Sequence, residues 1–163
     1  MSERRSGRNL KRRLYGKGRR YEIKLAYELQ KRGLAVQRGP ASGAGSRKLM
    51  YVDLVAFWTS STGEKRCLAL EVKYSAKRDT VYLNDVQLEA LRYWNSKGAE
   101  AYVAVKYANQ PWKFVPVELV EVRESDDGRI GRVGTGLYDL GFTLDEVIEK
   151  SKDELMRMRG WKA

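Results

Sequence analysis

The stretch from Tyr51 to Tyr74, YVDLVAFWTSSTGEKRCLALEVKY, limits the possible folds more than any other part of the chain. Two apolar runs, YVDLVAFW and CLALEVKY, flank the polar segment TSSTGEKR, and this is the pattern of two adjacent strands joined by a hairpin loop. The runs are nearly continuous rather than alternating, as expected for strands covered on both faces of a packed α/β domain. Into this interior the sequence places Asp53, Glu71 and Lys73. Residues two apart on a strand share a face, so Glu71 and Lys73 project together. Burying an ionised group costs on the order of several kcal/mol unless it is paired or binds a metal, so three of them in one apolar hairpin mark a candidate active site.

The residue inventory narrows the chemistry. The chain has no histidine, which excludes histidine base catalysis and the common histidine zinc sites. Cys67 is the only cysteine, so there is neither an intrachain disulfide nor a cysteine-cluster metal site, and its apolar neighbours predict a core position. A catalytic metal must therefore be held by oxygen, which favours magnesium or manganese over zinc. The 163 residues suit one compact domain with a real core. No apolar run approaches the roughly 20 residues of a membrane span, and the N-terminus lacks a signal-peptide pattern, so the expected location is the cytoplasm, with no membrane partner.

The formal charge of +11 favours a polyanionic partner, and it is unevenly distributed. Residues 1–20 carry nine Lys/Arg against Glu3 alone, whereas residues 118–163 carry eleven acids against eight bases. Met1 to Gly16 offers little to bury and reads as a flexible basic arm ahead of a single domain over 17–163, either ordering on phosphate or merely solubilising.

From Lys17 to Lys31 the periodicity is helical, with Leu25, Ala26 and Leu29 as the apolar stripe and Gly33 as the stop. Glu22 heads that stripe; it either points inward or pairs with a base such as Lys24 or Arg19. Leu34 to Arg38 reads as a strand, and GPASGAGSRK, residues 39–48, as a loop whose glycines let backbone approach phosphate. That loop does not match the Walker pattern.

After the hairpin, Asn84 caps a helix running to Lys97, closed by Gly98, and Gln87 is either its capping-box partner or a polar group aimed at the sheet. Ala101–Tyr107 and Trp112–Val117 read as strands, the latter with Pro116 suggesting an edge. Arg123 to Gly136, with four glycines, reads as a flexible turn or loose hairpin. A capping box of Thr143 with Glu146 opens a last helix to Met158, with a stripe of Leu144, Val147, Ile148, Leu155 and Met158. The predicted fold is α/β, a mixed sheet of about five strands covered by helices on both faces.

Phosphodiester hydrolysis needs an activated water and a counterweight for charge developing on phosphate oxygens, and a divalent metal supplies both. Asp53 and Glu71 from neighbouring strands can converge on magnesium, while Lys73 can orient or deprotonate the water or balance phosphate charge.

The ordered set of Glu22, a glycine-rich basic loop with Ser42, Asp53, Glu71-Val72-Lys73 and then Gln87 resembles the archaeal Holliday-junction resolvases, within the restriction-endonuclease-like nucleases. The likeness runs through LAVQRGPASG, YVDLVAF, LALEVKY and KFVPVELVEV into the C-terminal helix, from about Lys17 onward. It implies the restriction-endonuclease-like fold. It also implies that Asp53 and Glu71 bind magnesium, that Glu22 supports the metal, that Lys73 assists the water and transition state, and that Ser42 contacts the scissile region. It further implies a homodimer acting on a four-way DNA junction, each subunit nicking one of two symmetry-related strands, in recombination and repair. Phosphate contacts would come from Arg12, Arg13, Lys17, Arg19, Arg20, Arg38, Arg47 and Lys48. Two features depart from the family. Val52 stands where proline usually precedes the first aspartate, and the basic arm is longer than the family needs. Rival readings are a related nuclease of other branched or linear DNA, and a non-catalytic nucleic-acid binder whose acids form a structural ion-pair cluster.

Overall fold

A computed structural model describes residues 18–40, 49–126 and 128–162. The arm over 1–16, and with it Arg12 and Arg13, lies outside the described residues, as do Lys17, Ser42, Arg47 and Lys48. The chain opens with helix α1 over 18–31, which the φ of +87° at Gly33 helps to end before the strand β1 (Ala35–Arg38). The hairpin follows as β2 (Leu54–Thr59) and β3 (Lys65–Ser75). Next come β4 (Val81–Leu83), α2 (Asp85–Ser96), β5 (Glu100–Tyr107) and β6 (Lys113–Pro116). A 3-10 turn at Val117–Leu119 leads to β7 (Glu121–Ser125) and β8 (Gly128–Val133), and then to α3 (Thr135–Leu140), α4 (Leu144–Glu149) and α5 (Lys152–Met158).

Five strands form the main sheet in the order β1-β2-β3-β5-β6. Only β3 and β5 run parallel, joined by the crossover that contains α2, so the sheet is mixed. β6 is an edge, in keeping with Pro116 at its end. The continuous apolar runs divide by parity. Leu68, Leu70, Tyr102 and Ala104 face one core with Leu25 and Leu29 of α1, while Ala69, Val103 and Val105 face a second core with Leu88 and Leu91 of α2. Helices therefore cover both faces, as the unbroken hydrophobicity predicts.

The structure corrects the sequence reading in three places here. The glycine-rich stretch after Arg123 is an ordered hairpin within a separate three-stranded sheet, β4-β8-β7, which packs with α2. Gly131 serves contact there: a Cβ on it would lie 3.0 Å from Val120 and 3.3 Å from Leu83. The last helix is two, because Lys150 is extended and Ser151 caps a new start by accepting from the Glu154 N–H. That break shifts the helical phase, so Met156 is buried and Met158 is exposed. Cys67 is half-buried, because its neighbour across the ladder, Phe57, lies on a stretch of sheet left open. Among the aromatics of α2 and β6 and the segment between β5 and β6, Phe114 is core, Trp94 and Trp112 are part of the core margin, and Tyr93 is exposed.

The freed carbonyls at the helix break are gathered by one side chain. Buried Arg66 on β3 donates to the oxygens of Val147, Ile148 and Lys150 at 2.7 to 2.8 Å and makes a bidentate pair with Glu100. Its guanidinium also lies 4.4 Å from the Trp58 ring centroid.

Candidate active site

The site lies where the hairpin outruns its own pairing. The β2–β3 ladder ends at Leu54 opposite Leu70, and past it the backbone N–H of Val72 would have no strand partner on that side. The Asp53 carboxylate takes that role, accepting from Val72 N at 2.8 Å through Oδ2. Asp53 therefore sits one residue before its strand rather than within it, anchored by the strand that carries Glu71 and Lys73. Behind it, Gly39 N donates to the Asp53 carbonyl at 2.8 Å. A Cβ on Gly39 would lie 2.1 Å from the Val52 carbonyl oxygen, so only glycine permits this approach. Read from sequence, Gly39 was a place for phosphate to come close; the structure shows the chain's own backbone there.

Parity places Glu71 and Lys73 on the α2 face of β3. Glu71 is almost fully buried, and its carboxyl is pushed well above the usual range, first by desolvation and then by repulsion from Asp53. Asp53 is also raised by burial, with the Val72 N–H and the Glu71 hydrogen bond pulling the other way. Two carboxyls crowded in a buried place cannot both hold charge cheaply without a cation. That crowding, with donors that are all oxygen, fits a hard divalent metal.

Glu22 belongs to α1, on the opposite face, yet lies close enough to Asp53 for like-charge repulsion. Desolvation raises its carboxyl further, and Arg38 opposes both. Its partner is Arg38, whose Nε donates at 3.0 Å to Oε1, rather than Lys24 or Arg19. Among the described residues no group of three or more His, Cys, Asp or Glu side chains closes around one point. The metal-type donors brought together are thus Asp53 and Glu71, with Glu22 nearby and paired to Arg38.

Both sequence readings of Gln87 hold at once. Asn84 Oδ1 accepts from Gln87 N at 2.9 Å and Gln87 Oε1 accepts from Asn84 N at 3.1 Å, a complete capping box. The same Oε1 also accepts from Lys73 Nζ at 3.0 Å. Of the expected phosphate contacts, Arg19 and Arg20 are exposed on the first described turn of α1, and Arg38 is engaged with Glu22.

Comparison with known proteins places this arrangement. The family model described as archaeal Holliday junction resolvase (Hjc) matches residues 13–154. The chain belongs to that family. A relative, the crossover junction endodeoxyribonuclease Hjc of Archaeoglobus fulgidus, is 35% identical over 136 residues, covering 82% of this chain and 90% of the relative. The 1.6 Å structure of Archaeoglobus fulgidus Hjc, a Holliday junction resolvase from an archaeal hyperthermophile, superposes with a TM-score of 0.63 at 33% identity. The match covers 80% of this chain and 99% of that one. Membership in the resolvase family makes the chain an endodeoxyribonuclease of the crossover-junction class, a metal-dependent hydrolase that binds four-way DNA junctions. No helix among the described residues is long and apolar enough to cross a membrane.

Proposed function

We propose that this chain resolves four-way DNA junctions by paired, magnesium-dependent phosphodiester hydrolysis with the chemistry at Asp53, Glu71 and Lys73. What supports this reading is the crowding of two buried carboxyls where the β2–β3 ladder ends, with an ammonium two residues beyond Glu71 on the same face. Asp53 and Glu71 would hold the metal and Glu22 would support it. Bound there, magnesium would supply Lewis-acid stabilisation of the phosphate and a more acidic water, and manganese would substitute. Lys73 would orient the attacking water or take its proton, or balance charge on the phosphate. Ser42 would contact the scissile region.

Backbone shape would be read by Arg12, Arg13, Lys17, Arg19, Arg20, Arg38, Arg47 and Lys48, through phosphate contacts rather than base edges. In this reading 1–16 is a basic arm and 17–163 the nuclease domain, working in the cytoplasm. Two cuts at symmetry-related positions need two equivalent sites at fixed separation, which an isologous homodimer provides.

The test is cleavage and binding of an end-labelled four-way junction and a linear duplex, with magnesium or EDTA, for the natural chain and Glu71→Gln. The expected result is magnesium-dependent paired cuts in the junction alone, reduced about 10³-fold or more in the variant with binding retained. A junction bound but never cut means the carboxyls are structural and the protein is a binder. Equal cutting of linear duplex keeps the nuclease and removes junction selectivity.

A further inference from the structure

We propose that Gln87 is a positioning residue for the cleavage reaction, holding the Lys73 ammonium through the amide oxygen that also closes the cap of α2. This rests on Lys73 acting in cleavage, as set out above. A lysine ammonium rides on a flexible four-carbon stem with many rotamers, so its place must be fixed by a partner that is itself fixed. Gln87 is such a partner. Its Oε1 is anchored by Asn84 N at 3.1 Å, independently of Lys73, and its own N–H is bound at 2.9 Å by Asn84 Oδ1. An amide oxygen has two lone pairs, and the second meets Lys73 Nζ at 3.0 Å.

The turn that carries Gln87 is fixed in its turn by the smaller sheet. β4 ends at Leu83, the residue before the cap, and the bare Cα of Gly131 on β8 packs against Leu83 and against Leu88 one residue after Gln87. The order of support runs from the three-stranded sheet to the first turn of α2, to Gln87, to Lys73.

The choice of glutamine over glutamate carries the chemical content. Glutamate serves a capping box equally well. Here it would add a fourth carboxylate beside Asp53, Glu71 and Glu22, and would bind Lys73 charge to charge, drawing it from Glu71 and from phosphate. The neutral amide aims the ammonium without competing for it.

The experiment measures single-turnover cleavage of a four-way junction with magnesium, junction affinity in EDTA, and Tm, for the full chain and its Gln87→Glu, Gln87→Ala, Asn84→Ala and Glu71→Gln variants. Gln87→Glu is expected to keep Tm and affinity while its cleavage rate falls about 10- to 100-fold, because the cap survives and only the hold on Lys73 changes. Gln87→Ala loses rate and Tm together. Asn84→Ala loses Tm similarly yet keeps its rate, since the Asn84 backbone N–H still anchors Gln87. Rates unchanged in both Gln87 variants, or rate losses that follow Tm across all variants including Asn84→Ala, would overturn the proposal. Cleavage that needs Glu71 but ignores Gln87 removes this inference alone; a natural chain that never cuts removes the reading of the site and this inference with it.

Discussion

The β2–β3 hairpin and the C-terminal part of the chain are built on opposite principles. In the hairpin, pairing partners are near in sequence: Thr59 faces Lys65 and Leu54 faces Leu70. In the C-terminal part, the three residues of β4 pair with β8, fifty residues later in register. There α4 and α5 hang on an arginine from the far end of the hairpin. The hairpin stretch holds Asp53, Glu71 and Lys73 of the candidate site, whereas the C-terminal region touches the elements that support them. The difference teaches that chemistry and support separate in this fold, and that the two can be broken one at a time.

The largest effect is expected from Arg66→Ala, which leaves Glu100 and three helix-end carbonyls without their donor in a buried place. Removing one partner of a buried pair costs about 3–5 kcal/mol. For a chain of this size, that lowers Tm by about 10 °C or more. Because Arg66 touches C-terminal supports and not the carboxyls, cleavage per folded molecule at low temperature should be unchanged. Denaturant unfolding and single-turnover rates on the same samples check this. A rate that collapses in fully folded protein would mean that the two regions are not separable.

Gly39→Ala attacks the hairpin side instead. A Cβ 2.1 Å from the Val52 carbonyl forces the backbone apart beside Asp53. Displacement of a reacting group by about 1 Å can cost about 10²-fold in rate, and the same loss is expected here, with a smaller fall in Tm than for Arg66→Ala. Equal or greater Tm loss with normal cleavage would show that Asp53 is indifferent to its backbone support.

The smallest effect sharpens the contrast through pH. Burial raises the Glu71, Asp53 and Glu22 carboxyls above their ordinary values of 4.5 for Glu and 3.8 for Asp, and repulsion from Asp53 raises Glu71 and Glu22 further. An acid whose pKa is higher folded than unfolded binds more protons in the folded state. Its contribution is fully present below the unfolded pKa and declines as pH rises through the folded one. Without metal, stability should therefore fall as pH rises above the ordinary carboxylate range, and fall less in Glu71→Gln. Thermal unfolding in EDTA across that range reads the difference; parallel curves for the two proteins would mean that Glu71 ionises freely.

What could be read without a structure follows the same division. Continuous apolar strands with three charges among them, the Asn84 and Thr143 capping boxes, and the stop at Gly33 depend on neighbours within a few residues, so sequence spacing records them. From these follow the two-face coverage of the sheet and the candidate site of Asp53, Glu71 and Lys73. The three-stranded sheet was not legible, because a three-residue strand and a glycine- and charge-rich hairpin carry no periodic signal and gain order from distant pairing. The division of the last helix was hidden for a related reason: a capping serine inside an apolar stripe shows itself as a break only when a buried arginine is there to take the carbonyls.

By itself, then, the sequence determined which groups are charged, which face of each element is apolar, and that Glu71 and Lys73 share a side, since these follow from residue type and the strand period. Only the tertiary structure decided that Asp53 caps Val72, that Glu22 pairs with Arg38 and that Gln87 reaches Lys73. Each of those joins residues fourteen to nineteen positions apart on different elements, and a hydrogen bond acts over about 3 Å of space whatever the separation along the chain.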